Sequence, residues 1–148
     1  HFGSKAALFL EIIDASTMGI ARVVEQQLNQ PGSVRERMCR AMHAYFEHVV
    51  ARPVEIRMIL RAEIQADTGQ PVFDFHSARQ MFSDMVMRLL REGVESGEIR
   101  QDVNLEDALL LLAGVVDLRG MLCVLCGQEI PADFPERVLG LVFGGIGA

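Results

Sequence analysis

The chain has no tryptophan, one tyrosine and one lysine, Lys5, the other basic residues being arginines. Cysteine is scarce and odd in number, three in all, which argues against a secreted disulfide framework and for a reducing cytoplasmic setting. No basic, apolar and small-residue leader opens the sequence. The uncharged apolar run Ala108 to Val116 falls well short of the ~20 residues of a membrane helix, so no membrane partner is expected. Excess positive charge is also lacking: the net charge is −6, which argues against a nucleic-acid-binding surface within this stretch itself. There is no Gly-rich phosphate loop, no G-x-S-x-G and no Ser/His/Asp arrangement, so nothing points to an enzyme. No stretch alternates apolar and polar residues long enough to make a strand. The sequence opens on His1 without an initiating methionine, and an upstream segment is expected to precede it.

What is present is a well-supplied core. Half of the 148 residues are hydrophobic and the mean hydropathy is +0.23, which excludes a disordered linker. A chain of this length is a single domain able to bury its core without disulfides or metals. Apolar residues recur at helical spacing almost throughout. Ser4 caps a predicted helix running to Leu28, stopped by Pro31-Gly32. Ser33 with Glu36 forms a capping box for a helix to about Arg52. Pro53 opens another, to about Gln65. After the loop Asp67–Pro71 a long helix runs from about Phe73 to Ser96 and ends at Gly97. Asn104 with Asp107 caps Leu105 to about Cys126, and Asp133 with Glu136 caps Phe134 to about Gly144. The fold class is therefore all-α, with six helices and short connections.

The last two helices stand apart. Leu105–Cys126 is apolar nearly all round, with Asp117 and Arg119 its mid-helix charges, and such a helix demands burial on every face. The final helix carries Gly140 and Gly144, four apart, which admits a close neighbour. A homodimer four-helix bundle is expected, with Leu112, Val116, Val138, Gly140, Leu141 and Gly144 at its interface.

Metal and redox chemistry find little support. Cys123-Val-Leu-Cys126 has no second pair, whereas structural zinc takes four ligands, so these thiols read as buried small hydrophobes, with Cys39 alone elsewhere. His43 and Glu47 share a helix face and His48 lies about 100° further round. Glu47 and His48 read as surface residues and His43 as a core histidine or a polar group in an apolar pocket. No Glu-x-x-His pair occurs, as a di-iron bundle needs. No cofactor and no metal are expected.

The opening His1-Phe2-Gly3-Ser4-Lys5-Ala6-Ala7-Leu8-Phe9 resembles the end of the DNA-binding module of TetR-type (tetracycline-repressor-like) transcriptional regulators. There an aromatic-rich recognition helix ends in a Tyr-x-His-Phe run, followed by a Gly/Ser/Asn–Lys turn and a long connecting helix. Glu92-Gly93-Val94-Glu95-Ser96-Gly97-Glu98-Ile99-Arg100-Gln101-Asp102 is similar to the family's stretch before its penultimate helix. The resemblance implies that residues 1–5 end a helix-turn-helix and 6–148 form an effector-binding and dimerisation domain. It also implies that His1 and Lys5 lie at DNA backbone phosphates, Lys5 beside amides that favour an anion.

Eight methionines and eight phenylalanines describe a deformable apolar interior suited to lipophilic ligands. The expected pocket is lined by Met18, Met42, His43, Phe46, Met58, Phe82 and Met85. Asp117 must be paired, with an arginine such as Arg88, or wet at the pocket floor, because a bare buried carboxylate is costly. The function expected is a ligand-responsive transcriptional regulator, a repressor whose upstream helix-turn-helix holds operator DNA and is released by a small lipophilic effector. The alternative is a helical bundle carrying a small molecule or metal with no role at DNA.

Overall fold

Ser4, Ser33 and Asn104 each hold the helix start that their position predicts. In the computed structural model, which describes residues 3–64 and 73–145, these residues open α1 (Lys5–Leu28), α2 (Val34–Ala51) and α5 (Leu105–Cys126). The other helices are α3 (Pro53–Ile64), α4 (Phe75–Glu95) and α6 (Phe134–Gly144), and no strand occurs among the described residues. The Ser4 hydroxyl accepts from Ala7 N at 3.1 Å. Ser33 and Glu36 satisfy each other's backbone N–H at 3.1 and 2.8 Å, and these bonds hold the Glu36 carboxyl below its ordinary pKa. The Asn104 side-chain oxygen accepts from Glu106 N and Asp107 N. Gly97 and Gly127 take left-handed φ of +82° and +68° just past α4 and α5, a conformation that costs glycine little.

Two predicted starts differ. α4 begins at Phe75 rather than near Phe73, because the Asp74 side chain accepts from Ser77 N at 3.0 Å and so fixes the first turn. The Asp133–Glu136 box does not form: Asp133 makes no side-chain cap bond and pairs with Arg137 at 3.2 Å, while Glu136 turns to α2. Proline at the second position of α6 removes one of the N–H groups a cap would satisfy. The predicted loop Asp67–Pro71 lies outside the described residues.

Helix α2 touches all five others. Its Met38, Met42, Phe46 and Val49 meet Ile20, Val24 and Leu28 of α1, Leu89 and Leu90 of α4, Leu112 and Val124 of α5 and Leu139 of α6 in one core. Each such side chain contributes roughly 1.5–3 kcal/mol on burial. The link from α4 to α5 is locked onto α2. The Glu98 carboxylate accepts from Val34 N at 2.9 Å, supplying the open N-terminus of α2 with a negative partner. Ile99 N donates to Gly93 O at 2.9 Å, and Ile99 packs so closely that a Cβ on Gly93 would lie 2.6 Å from its Cδ1. Arg37 donates to Leu28 O and to Glu92, each at 2.6 Å, drawing together the ends of α1, α2 and α4. The segment Glu92–Asp102 thus carries a tertiary lock.

Candidate functional site

Along α1, Met18, Ala21, Arg22 and Glu25 fall at helical spacings of three and four, and along α4 so do Ser77, Gln80, Met81, Asp84, Met85 and Arg88. The two stripes face each other across an open groove of about 670 Å³, within the usual range for small-molecule sites. Ala21 and Met85 are buried at its base. Arg22, Glu25, Asp84 and Arg88 place two charges of each sign around an apolar floor of methionines.

Of the expected pocket residues, the groove gathers Met18 and Met85. Met42 and Phe46 are instead closed into the core, because the apolar face of α2 packs against other helices. Phe82 packs half-buried against that core, and Met58 is half-buried on α3. His43 and Asp117 also lie off the groove. The sequence reading missed Met81, Arg22 and Arg88, whose signal was their spacing from Met85 and Met18 on the same stripes.

Asp117 is paired, as its position demands, but with Arg79 rather than Arg88. Arg79 donates to Asp117 at 3.1 Å and to Glu63 at 2.5 Å, a bridge joining α3, α4 and α5 and raising the arginine's pKa further. Tyr45 sits beside it against Gly120 of α5, where a Cβ would meet the phenol oxygen at 3.2 Å. Burial first, and the Asp117 charge second, push that phenol's pKa up.

The roles expected of the two histidines are exchanged. His48 is buried at 9% exposure, between α1 and α2, with its imidazole beside Gly19. Burial first, then Arg52, lowers its pKa, against the opposing pull of Glu55. Its Nε2 and the buried hydroxyl of Thr17 on α1 have no hydrogen-bond partner among the described residues. Arg52 reaches His48 Nδ1 at 3.3 Å, and Ser16 of α1 donates to Glu55 at 2.9 Å. Half-way along its length α1 is thus held by a polar layer on one side and flanks the groove on the other. His43 is the partly exposed one, its Nε2 2.7 Å from Glu136.

At the leading end of α1, Lys5 is exposed beside the Ser4 turn; His1 lies outside the described residues. Helix α5 is long and apolar enough to cross a membrane, yet only 17% of its apolar window is buried in this chain. Leu111, Leu118 and Leu125 recur every seven residues and stand exposed, with Leu110 beside them and Leu141 on α6. Leu112 and Val138 turn inward to the chain's own core instead, correcting their expected place at the interface. Val116 is half-buried and also packs on that core. A Cβ at Gly140 would meet only Arg35, at 3.7 Å, and one at Gly144 nothing within 4 Å. Cys126 is exposed and Cys123 partly so, against the expectation that both are buried.

The six-helix arrangement is similar to that of PfmR, a TetR family transcriptional regulator from Thermus thermophilus, with a TM-score of 0.76 and 18% identity over 100% of this chain and 80% of that one. It is similar also to FadR, a fatty acid degradation regulator from Bacillus halodurans, with a TM-score of 0.75 and 17% identity over 98% and 78%. At that identity the likeness shows the fold. No curated protein matches the chain. In sequence, the C-terminal domain of SbtR-like transcriptional regulators matches residues 37–148, most of the chain. With the helix order and the Glu92–Asp102 lock, this settles the family: the chain belongs to the TetR-type transcriptional regulators, as an SbtR-like C-terminal domain.

Proposed function

We propose that this domain binds a small lipophilic effector in the groove between α1 and α4, pairs with a second copy through α5 and α6, and thereby governs operator binding by an upstream helix-turn-helix, as a cytoplasmic repressor. Residues 1–5 are then the end of the DNA-binding module and 6–148 the effector and dimerisation domain, with His1 and Lys5 at backbone phosphate.

The observation that carries the reading is that the groove and the leading end share one helix. The 24 residues of α1 make a rod of about 36 Å, with Lys5 at one end and Met18 to Glu25 in the groove wall. A ligand that parts α1 from α4 must move the other end of the same rod. Its leverage equals its differential affinity for the two positions, ~1–3 kcal/mol or 5–150-fold in typical cases. The bare leucines of α5 and α6 favour a second copy over lipid, because Asp117 and Arg119 interrupt the helix at mid-length and a charge at a bilayer centre costs roughly 2.5–3.5 kcal/mol or more.

Screening small lipophilic compounds by thermal shift on this chain tests the groove. A compound that binds the folded state raises the melting temperature. Met18→Glu or Met81→Glu sets a carboxylate on the apolar wall and should weaken such a compound at least about tenfold, since its burial is opposed. Compounds bound equally well by parent and both variants would place the effector elsewhere.

A further inference from the structure

Cys39 and His43 lie four residues apart on α2, which stacks their side chains on one face. Glu136 reaches them from the first turn of α6. The cysteine sulfur, an imidazole nitrogen and a carboxylate oxygen all lie within 4.8 Å of one another, and the His43–Glu136 pair is already at 2.7 Å. We propose that Cys39, His43 and Glu136 form a binding site for a divalent transition ion of the zinc class, joining α6 to α2.

Three arguments carry it. The first is donor chemistry. Sulfur, imidazole nitrogen and carboxylate oxygen together match zinc and its neighbours, whereas magnesium and calcium take oxygen donors alone. On binding, the Cys39 proton passes to solvent, and thiolate plus carboxylate balance the double positive charge. The second is geometry. Bonds of about 2.0–2.3 Å at tetrahedral angles set donors roughly 3.3–3.7 Å apart. The widest pair must therefore close, and the His43–Glu136 pair open, by about 1 Å or less, a rotamer adjustment for partly exposed side chains. Three protein donors leave a fourth position for water. The third is the behaviour of Glu136. It stands where a capping glutamate of α6 belongs, yet no cap bond links it to Asp133; it turns to α2 instead and bonds His43 at 2.7 Å.

The sequence held half of this, in the Cys39/His43 spacing, but the third donor is 93 residues away from His43. The site departs from the expectation of no metal. An ion here would tie α6, whose outer face bears Leu141, to the helix that every other helix touches, so its occupancy would stiffen the mount of the bare face.

The test is cobalt(II) titration, without oxygen, of the whole chain carrying Cys123→Ser and Cys126→Ser, which leaves Cys39 as its one thiol. Expected is a one-to-one complex with a thiolate-to-cobalt charge-transfer band in the near ultraviolet, erased by added zinc. Cys39→Ser should abolish that band. His43→Gln and Glu136→Gln, at partly exposed positions that leave the helical circular dichroism unchanged, should each weaken binding about 10–100-fold. Zinc should also raise the melting temperature of the parent and not of His43→Gln. Absence of the band from the single-thiol chain, or binding by His43→Gln and Glu136→Gln at the parent's affinity, would overturn the site. Neither readout involves DNA or a groove ligand, so the site stands or falls apart from the effector reading.

Discussion

Where α4 hands over to α5, a carboxylate, a guanidinium and a close-packed isoleucine bind three helix ends together. Along α5 and α6, by contrast, leucines stand bare at 54–69% exposure. Both regions belong to one chain of one family, and the difference shows which work the chain completes by itself. Glu98, Arg37 and Gly93 find every partner within the chain, so their contribution is to folding. Leu111, Leu118, Leu125 and Leu141 stand exposed among the described residues, and on the reading proposed above their contribution awaits a second copy. Substitutions in the first region should lower stability and leave assembly alone; substitutions in the second should do the reverse.

The largest expected effect is on assembly. Leu118→Glu with Leu141→Glu should weaken self-association at least about a hundredfold, or about 2.7 kcal/mol, while moving the denaturation midpoint of the chain little, since surface changes usually stay within about 0.5 kcal/mol. Sedimentation equilibrium and urea denaturation read the two quantities separately. Next comes the lock. Gly93→Ala forces a methyl against Ile99 and should cost about 1–3 kcal/mol of stability, with the sedimentation behaviour unchanged. Glu98→Ala leaves Val34 N–H without its charged partner and should cost roughly 1–2 kcal/mol by the same urea measurement.

Helix ends were legible in the sequence because they are written locally. Ser4, Ser33 with Glu36, Asn104 and Gly97 act on atoms within a turn of themselves. What failed was the identity of partners across helices. Periodicity marks the apolar face of α2 but not which helices cover it, so Met42 and Phe46 were assigned to a pocket they cannot reach. His43 and His48 differ by about 140° of helix rotation, and only the positions of α1 and α6 decide which is buried. Asp117 required a cation, yet Arg79 and Arg88 both lie on α4, two and a half turns apart. Glu136 left its cap for a residue far off in sequence. The groove was half legible: Met18 and Met85 were named, whereas Met81 and the two arginines required knowing that α1 faces α4.

The smallest effect is that of pH on the polar layer beside α1. The unfolded His48 imidazole titrates near 6.5 and the folded one lower. Below about pH 6.5 the unfolded chain therefore binds more protons, and stability present above that pH falls as the folded value is approached. The urea midpoint should drop between about pH 7.5 and 5.5, and His48→Gln should flatten that segment. The carboxyls of Glu36, Asp74 and Glu136 are held low in the folded chain, so their stabilisation is lost only in more acid solution, below the range His48 governs.

The central claim is that the bare face of α5 and α6 is completed by a second copy. Sedimentation equilibrium of the unmodified chain across a micromolar concentration series tests it most directly. The expected result is a particle of twice the chain mass of 16.4 kDa, converted to the single mass by Leu118→Glu with Leu141→Glu. A single chain mass at every concentration would contradict it.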